Sequence, residues 1–178
     1  KADIRDFKKT LAAFNRHRRP DAVLHLAAQV AVTTSVTDPR EDFQINALGT
    51  FNVLEASRAL SKPPIVLYSS TNKVYGGMED VKIVQRGGRW QFATLKKGAS
   101  EKYPLDFHSP YGCSKGCADQ YVRDYSRIYG LKTVVFRQYC IYGTRQFGVE
   151  DQGWVAHFAI QSYFGRPLKI YGDGKQVR

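Results

Sequence analysis

The sequence predicts an α/β domain built on a Rossmann-like, doubly wound parallel sheet. Three observations carry that expectation. Short unbroken apolar segments, such as Ile65-Val66-Leu67-Tyr68 and Thr133-Val134-Val135-Phe136, have the composition of strands buried on both faces. Longer stretches in which apolar residues recur with helical spacing separate them. Polar clusters stand directly after three of these strands, where ligands sit in an open parallel sheet.

Taken in order, Phe7, Leu11 and Phe14 form one stripe, so an amphipathic helix opens the chain and closes before Pro20. Residues 21–26 read as a short buried strand. Asp38-Pro39 has the form of a helix start, a capping carboxylate followed by proline at the first helical position. Apolar residues at 43, 45, 48, 51 and 54 carry that helix to about Leu60. Residues 65–68 form the second strand. Within an insertion near residues 79–100, residues 81–85 and 89–92 alternate about Gly87-Gly88, a two-residue turn suited to a β-hairpin. Ser109-Pro110 opens a helix that runs to about Tyr129 and stops at Gly130. Residues 133–136 are the third strand, 154–164 a further helix and 168–170 a fourth strand.

The composition fits one domain with a real core: 178 residues, 43% hydrophobic and 24% charged. The longest apolar runs fall far short of a membrane span, and residues 1–6 lack the apolar stretch of a signal peptide, so a cytoplasmic protein without membrane contact is expected. Cys113, Cys117 and Cys140 are too few and too irregularly spaced for a disulfide framework or a zinc site; free thiols and no metal are expected. The net charge of +11 comes from scattered Lys and Arg residues with no basic run interleaved with stacking aromatics. That pattern speaks against nucleic acid and suits a small polyanion such as a nucleotide.

The chemistry centres on Tyr111-Gly112-Cys113-Ser114-Lys115. Residues four apart share one helix face, so the phenol and the ammonium are neighbours, and a nearby cation favours the phenolate. A tyrosine whose pKa is lowered in this way can transfer protons near neutral pH. The polar clusters are His25-Leu26-Ala27-Ala28-Gln29 after the first strand and residues 68–76 after the second. Arg137-Gln138-Tyr139-Cys140-Ile141-Tyr142-Gly143, followed by Arg145, comes after the third. Three clusters at successive strand ends, with the Tyr/Lys helix, point to one shared cleft. His25, on a buried strand, reads as a core histidine.

Over nearly its whole length the chain resembles the extended short-chain dehydrogenase/reductases, the nucleotide-sugar epimerase and dehydratase family. The resemblance rests on Leu26-Ala27-Ala28, the Ser69-Ser70-Thr71 segment ending in Val74-Tyr75-Gly76, Tyr111 with Lys115, and residues 172–178, in that order and spacing. It implies that Tyr111 is the catalytic base, that Lys115 lowers its pKa and holds the nicotinamide ribose of NAD, and that Thr71 hydrogen-bonds the reacting hydroxyl. Asn46 matches the family's helix asparagine beside the active site. Asp3 and Ile4 resemble the pair flanking the adenine ring, and Leu26, Ala27, Ala28, Gln29 and Tyr139 join Asn46, Tyr111 and Lys115 around the cofactor. For the substrate the implied contacts are Thr71, Asn72, Lys73, His108, Arg145 and Arg178. Of these, His108 either touches the sugar or caps its helix, and Arg145 either binds phosphate or forms a surface pair.

Within the family, dehydratases place two acids directly after the active-site threonine. Asn72 and Lys73 stand there instead, so an epimerase is expected, and the segments around residues 69–76, 105–116 and 151–155 favour a CDP-linked sugar. An epimerase or reductase acting at C4 of another nucleotide sugar, and a non-catalytic nucleotide-sensing module, are the alternatives. Cys140 replaces a family asparagine that binds substrate. The glycine-rich turn that cradles a dinucleotide pyrophosphate is not in the sequence. The expectation is therefore a partial NAD-binding domain, with the substrate-binding region beginning near residues 145–178. Such a chain alone would bind NAD weakly and not turn over. The resemblance also implies a homodimer or higher homo-oligomer, paired through the Tyr111 helix and the helix over residues 39–60.

Overall fold

A computed structural model describes residues 1–16, 20–173, 175 and 177. The elements run α1 (Phe7–Arg16), β1 (Ala22–His25), α2 (Val32–Thr37), α3 (Pro39–Phe43), α4 (Gly49–Arg58), β2 (Ile65–Thr71), β3 (Ile83–Arg86), β4 (Arg89–Phe92), α5 (Ser109–Tyr129), β5 (Thr133–Gln138) and α6 (Trp154–Tyr163). The chain divides into two compact units, Lys1–Val74 with Phe107–Gln138, and Tyr75–Asp106 with Tyr139–Arg178.

The first unit is a three-stranded parallel sheet, in the order β1-β2-β5, with helices packed on it. Strand residues alternate faces, and the inward set Val66 and Tyr68 meets Leu54, Ala118, Val122, Tyr125 and Leu131 in one apolar core. Leu24, Ile65, Val134 and Phe136, which point the other way, stay exposed. The apolar strands promise a sheet covered on both faces; within this unit the described helices cover one.

The helix expected over residues 39–60 is interrupted. Asp38 caps α3 through a bond from the Glu41 N–H, as its position implies, but Gln44–Leu48 forms a π-helical turn between α3 and α4. The extra residue per turn rotates everything before it. Of the apolar positions that carry the expected helix, Leu54 is buried but Phe43, Leu48 and Phe51 are exposed, while Asp42, Asn46 and Thr50 take buried places. The short α2 has no apolar periodicity and was not expected. Residues 168–170 form no strand; Leu168 and Ile170 are exposed and pair with nothing in a sheet.

Helix α5 follows the sequence closely. It ends at Gly130, whose φ of 66° is the left-handed conformation that closes a helix without a side-chain clash. Midway along it, a Cβ at Gly116 would lie 2.4 Å from the Phe107 ring, so glycine there lets that ring seat directly on the helix. The fully buried Asp119 anchors α5 to the sheet: it accepts two hydrogen bonds from the Arg137 guanidinium, each 2.9 Å, and one from Ser70.

In the second unit, Gly87 and Gly88 both have positive φ and join β3 to β4, with Arg86 opposite Arg89. The Trp154 indole N–H donates to Cys140 Sγ at 3.3 Å. Among the described residues no helix is long and apolar enough to cross a membrane, and no group of three or more His, Cys, Asp or Glu is placed to hold a metal.

Breaking the Asp119–Arg137 pair on one side takes the buried carboxylate away from a largely buried guanidinium. Asp119→Ala is therefore expected to lower stability by about 3–5 kcal/mol, against about 0–1 kcal/mol for Arg58→Ala, which removes the exposed bond to Glu55. Urea unfolding checks both; equal losses would contradict this ranking.

Candidate active site

The site forms where β2 ends and α5 begins. Ser69, Ser70 and Thr71 finish β2, and the Lys73 N–H donates to Thr71 Oγ1 at 3.2 Å, turning the chain into a 3₁₀ turn. Opposite, α5 starts through Ser109, at a φ of 64°, and its free N–H groups find side-chain acceptors: Gly112 on Ser109 Oγ and Tyr111 on Ser35 Oγ. The helix start lies close to the turn: a Cβ at Gly112 would stand in ordinary van der Waals contact, 3.4 Å from the Lys73 carbonyl oxygen.

That approach brings Tyr111, Thr71 and Lys115 together, all buried. Burial holds the Tyr111 phenol above its ordinary pKa; the neighbouring Thr71 hydroxyl opposes the rise, and the Asp42 charge adds to it. Lys115 extends across to β2, where its Nζ donates to the Ser69 carbonyl at 2.5 Å and sits 4.4 Å from the centre of the Tyr68 ring. Burial pushes its pKa down to about 8, with Asp42 and Asp119 opposing. The sequence expectation that Lys115 lowers the Tyr111 pKa is thus not met in this state. The ammonium is directed at the strand, and burial of the phenol dominates.

Asn46 projects from the π turn and is fully engaged. Its Oδ1 accepts from the Gln29 N–H at 2.9 Å, while Nδ2 faces the Gln29 carbonyl at 3.0 Å and both Asp42 and Ser114 at 3.1 Å. Gln29 is equally committed, donating to Asp42 and Ala31 and accepting from the Ala31 N–H. Both side chains are thus committed to hydrogen bonds within one network beside Tyr111 and Ser114.

His25 is the core residue the sequence implies. The Thr50 hydroxyl spends its proton on the Asn46 carbonyl at 2.6 Å, so His25 Nε2 is the donor in the 2.9 Å contact with Thr50. Burial, with Lys115 nearby, drops its pKa to about 4, which keeps the ring neutral.

Asn72 and Lys73 lie half-buried on the turn after Thr71, and His108 is the exposed N-cap of α5, with no side-chain capping bond. Leu26 and Ala27 are exposed beyond the end of β1, and Ala28 is half-buried, leaving accessible backbone where a dinucleotide would lie. Asp3 is held by Arg5, and Ile4 packs where a Cβ on Gly49 would stand. Tyr139 and Arg145 belong to the second unit, both exposed, Arg145 with a φ of 64°. Arg178 lies outside the described residues. Sequence reading missed Asp42, Ser35 and Ser114. The spacing of Asp42, four residues before Asn46, is the signal that would have found it.

The chain belongs to the NAD dependent epimerase/dehydratase family, whose model matches residues 1–178. It is 51% identical over 164 residues to the CDP-paratose 2-epimerase of Salmonella typhi, covering 89% of this chain and 48% of that protein. Among solved structures it is similar to the UDP-glucose 4-epimerase of Thermus thermophilus in complex with NAD, with a TM-score of 0.75 and 37% identity over 94% of this chain and 49% of that one. The UDP-glucose 4-epimerase of Thermotoga maritima with UDP-glucose gives 0.80 and 32% identity, over 97% and 51%. The chain thus spans about half the length of these relatives.

The His25 assignment fixes a pH window. Its pKa is about 4 folded and 6.5 unfolded, so the unfolded state takes up a proton first, and stability falls as pH drops from about 6.5 to about 4. The loss amounts to about 3 kcal/mol. His25→Gln, which keeps a donor for Thr50, is expected to flatten urea-unfolding stability across that window; an unchanged slope would contradict the assignment.

Proposed function

We propose that this chain supplies the proton-transfer half of an NAD-dependent nucleotide-sugar epimerase that inverts C2 of a CDP-linked dideoxyhexose. The observation that carries the reading is the buried Tyr111 phenol beside the Thr71 hydroxyl, with Lys115 one turn along the helix. The likeness to CDP-paratose 2-epimerase supports the choice of sugar and carbon.

The exposed small residues after β1 and the seating of Ile4 against Gly49 fit a dinucleotide laid over the carboxyl ends of the strands. Leu26, Ala27 and Ala28 would hold it, Asp3 and Ile4 would flank its adenine end, Tyr139 would line it, and Lys115 would meet the nicotinamide ribose. Bound there, NAD would supply the hydride chemistry of a reversible oxidation at C2.

The residues of the chain manage the proton. Tyr111, as phenolate, accepts the proton of the C2 hydroxyl as that carbon becomes a ketone. Thr71 donates a hydrogen bond to the same oxygen and holds it in place. Once the ketone presents its other face, Tyr111 returns the proton, and the product differs from the substrate only in configuration. Lys115, fixed on Ser69, keeps a positive charge near the reacting oxygen while protonated. Asn72, Lys73 and His108 are assigned to the sugar, Arg145 and Arg178 to the diphosphate. The absence of an acid after Thr71 argues against water elimination.

The same reading places the enzyme in the cytoplasm as a homodimer. Phe43, Leu48, Phe51 and Tyr121, exposed on α3, the π turn, α4 and α5, make an apolar face of the kind that pairs with a second copy. Sedimentation as a dimer is expected, and a monomer would remove this part of the proposal.

Tyr111→Phe, made in the protein at full family length, is expected to lower turnover by about 10²–10⁴-fold while bound NAD is retained. Undiminished activity in that variant would defeat the mechanism. Inversion at C4 of a UDP-linked sugar by the wild type would instead select the other epimerase reading, to which the solved relatives lend support.

A further inference from the structure

Asp42 is a buried acid that the mechanism above does not use. Its residue is 1% exposed, and its carboxylate takes three hydrogen bonds from neutral donors: Gln29 Nε2 at 2.7 Å and Asn46 Nδ2 at 3.1 Å on Oδ1, and Ser114 Oγ at 2.5 Å on Oδ2. No ion pair with Asp42 occurs among the described residues. A carboxylate buried without a cation is costly, and an apolar residue would fill the position more cheaply.

The three donors come from three parts of the chain: the segment after β1, the π turn and α5. Asn46 is locked by them. With Asp42, Ser114 and a carbonyl facing its nitrogen and an N–H facing its oxygen, a flipped amide would break every contact. Ser114 stands between Tyr111 and Lys115 in sequence, and its oxygen also lies 3.2 Å from the Tyr111 carbonyl. Tyr111 is faced by Thr71 and Tyr68 from β2 and by Asp42 from α3, with Lys115 one turn along its own helix. Lys115 feels Asp42, Asp119 and His25.

We propose that Asp42 is a positioning residue of the Tyr111 site: it fixes the Asn46 amide and the first turn of α5 through Ser114, and it holds a negative charge behind Tyr111 and Lys115. That charge works against the phenolate and in favour of the Lys115 ammonium. It adds to the burial that holds Tyr111 protonated and offsets part of the burial that disfavours the Lys115 ammonium. The role rests on the reading of Tyr111 as the proton-transfer group, since only then does its protonation state matter.

The test follows the ¹³Cζ resonance of Tyr111, assigned by its loss in Tyr111→Phe, through a pH titration of the tyrosine-labelled chain. In Asp42→Asn and Asp42→Ser, which remove the charge, the Tyr111 titration is expected to move to lower pH. In Ser114→Ala, which disturbs the same network but keeps the charge, it is expected to stay in place. A titration unmoved by loss of the charge, or moved equally by Ser114→Ala, would overturn the role. Failure of both Asp42 variants to fold, judged by circular dichroism, would assign Asp42 to stability alone and overturn it too. The Tyr111→Phe turnover measurement tests the underlying reading separately, so the two can fail independently.

Discussion

The constraint on which the site depends is the close approach of the first turn of α5 to the carboxyl end of β2. Lys115 crosses it to reach the Ser69 carbonyl. One consequence is geometric: Tyr111 is set beside Thr71 in a place the solvent hardly reaches. The other is electrostatic. Burial is the largest influence on both groups, raising the phenol and lowering the ammonium, and the nearby hydrogen bonds and charges only moderate it. Tyr111 is thus held protonated chiefly by its burial, while the Lys115 ammonium is engaged by the Ser69 carbonyl.

Behind that approach lies a polar layer where an apolar core would be expected. Asp42, Asn46, Thr50, Ser114 and His25 are all buried, and they hydrogen-bond to one another, to the Gln29 side chain and to backbone. Such a network is favourable only when complete, because every unmet group in a low-dielectric interior is costly. The π turn lies within this layer and carries Asn46, while Phe43, Leu48 and Phe51 stay on the surface.

Much of this was legible in the residues. Gly130 marked the end of α5, Gly87-Gly88 marked the hairpin turn, and Tyr111 and Lys115 fell on one helix face as their spacing requires. Features set by distant contacts were not. Nothing in the periodicity of residues 39–60 signals a π turn; an apolar stripe at positions 43, 48 and 51 reads the same whether it meets a core or a surface. The four-residue spacing of Asp42 and Asn46 hinted at one contact of Asp42, but its bond to Ser114, 72 positions away, left no local trace. The direction taken by Lys115 depends on where the β2 carbonyl falls, which no local pattern encodes. The apolar run at residues 168–170 has strand composition, yet composition makes a strand only where a neighbour supplies the ladder.

The central claim, that Tyr111 serves a reversible oxidation at C2, is tested most directly by isotope. CDP-paratose carrying deuterium at C2 is incubated with the protein at full family length, and the epimer formed is analysed by NMR and mass. Deuterium retained at the inverted C2, with none exchanged into solvent, is the result expected. Inversion with loss of the label to water, or inversion at a different carbon, would contradict it.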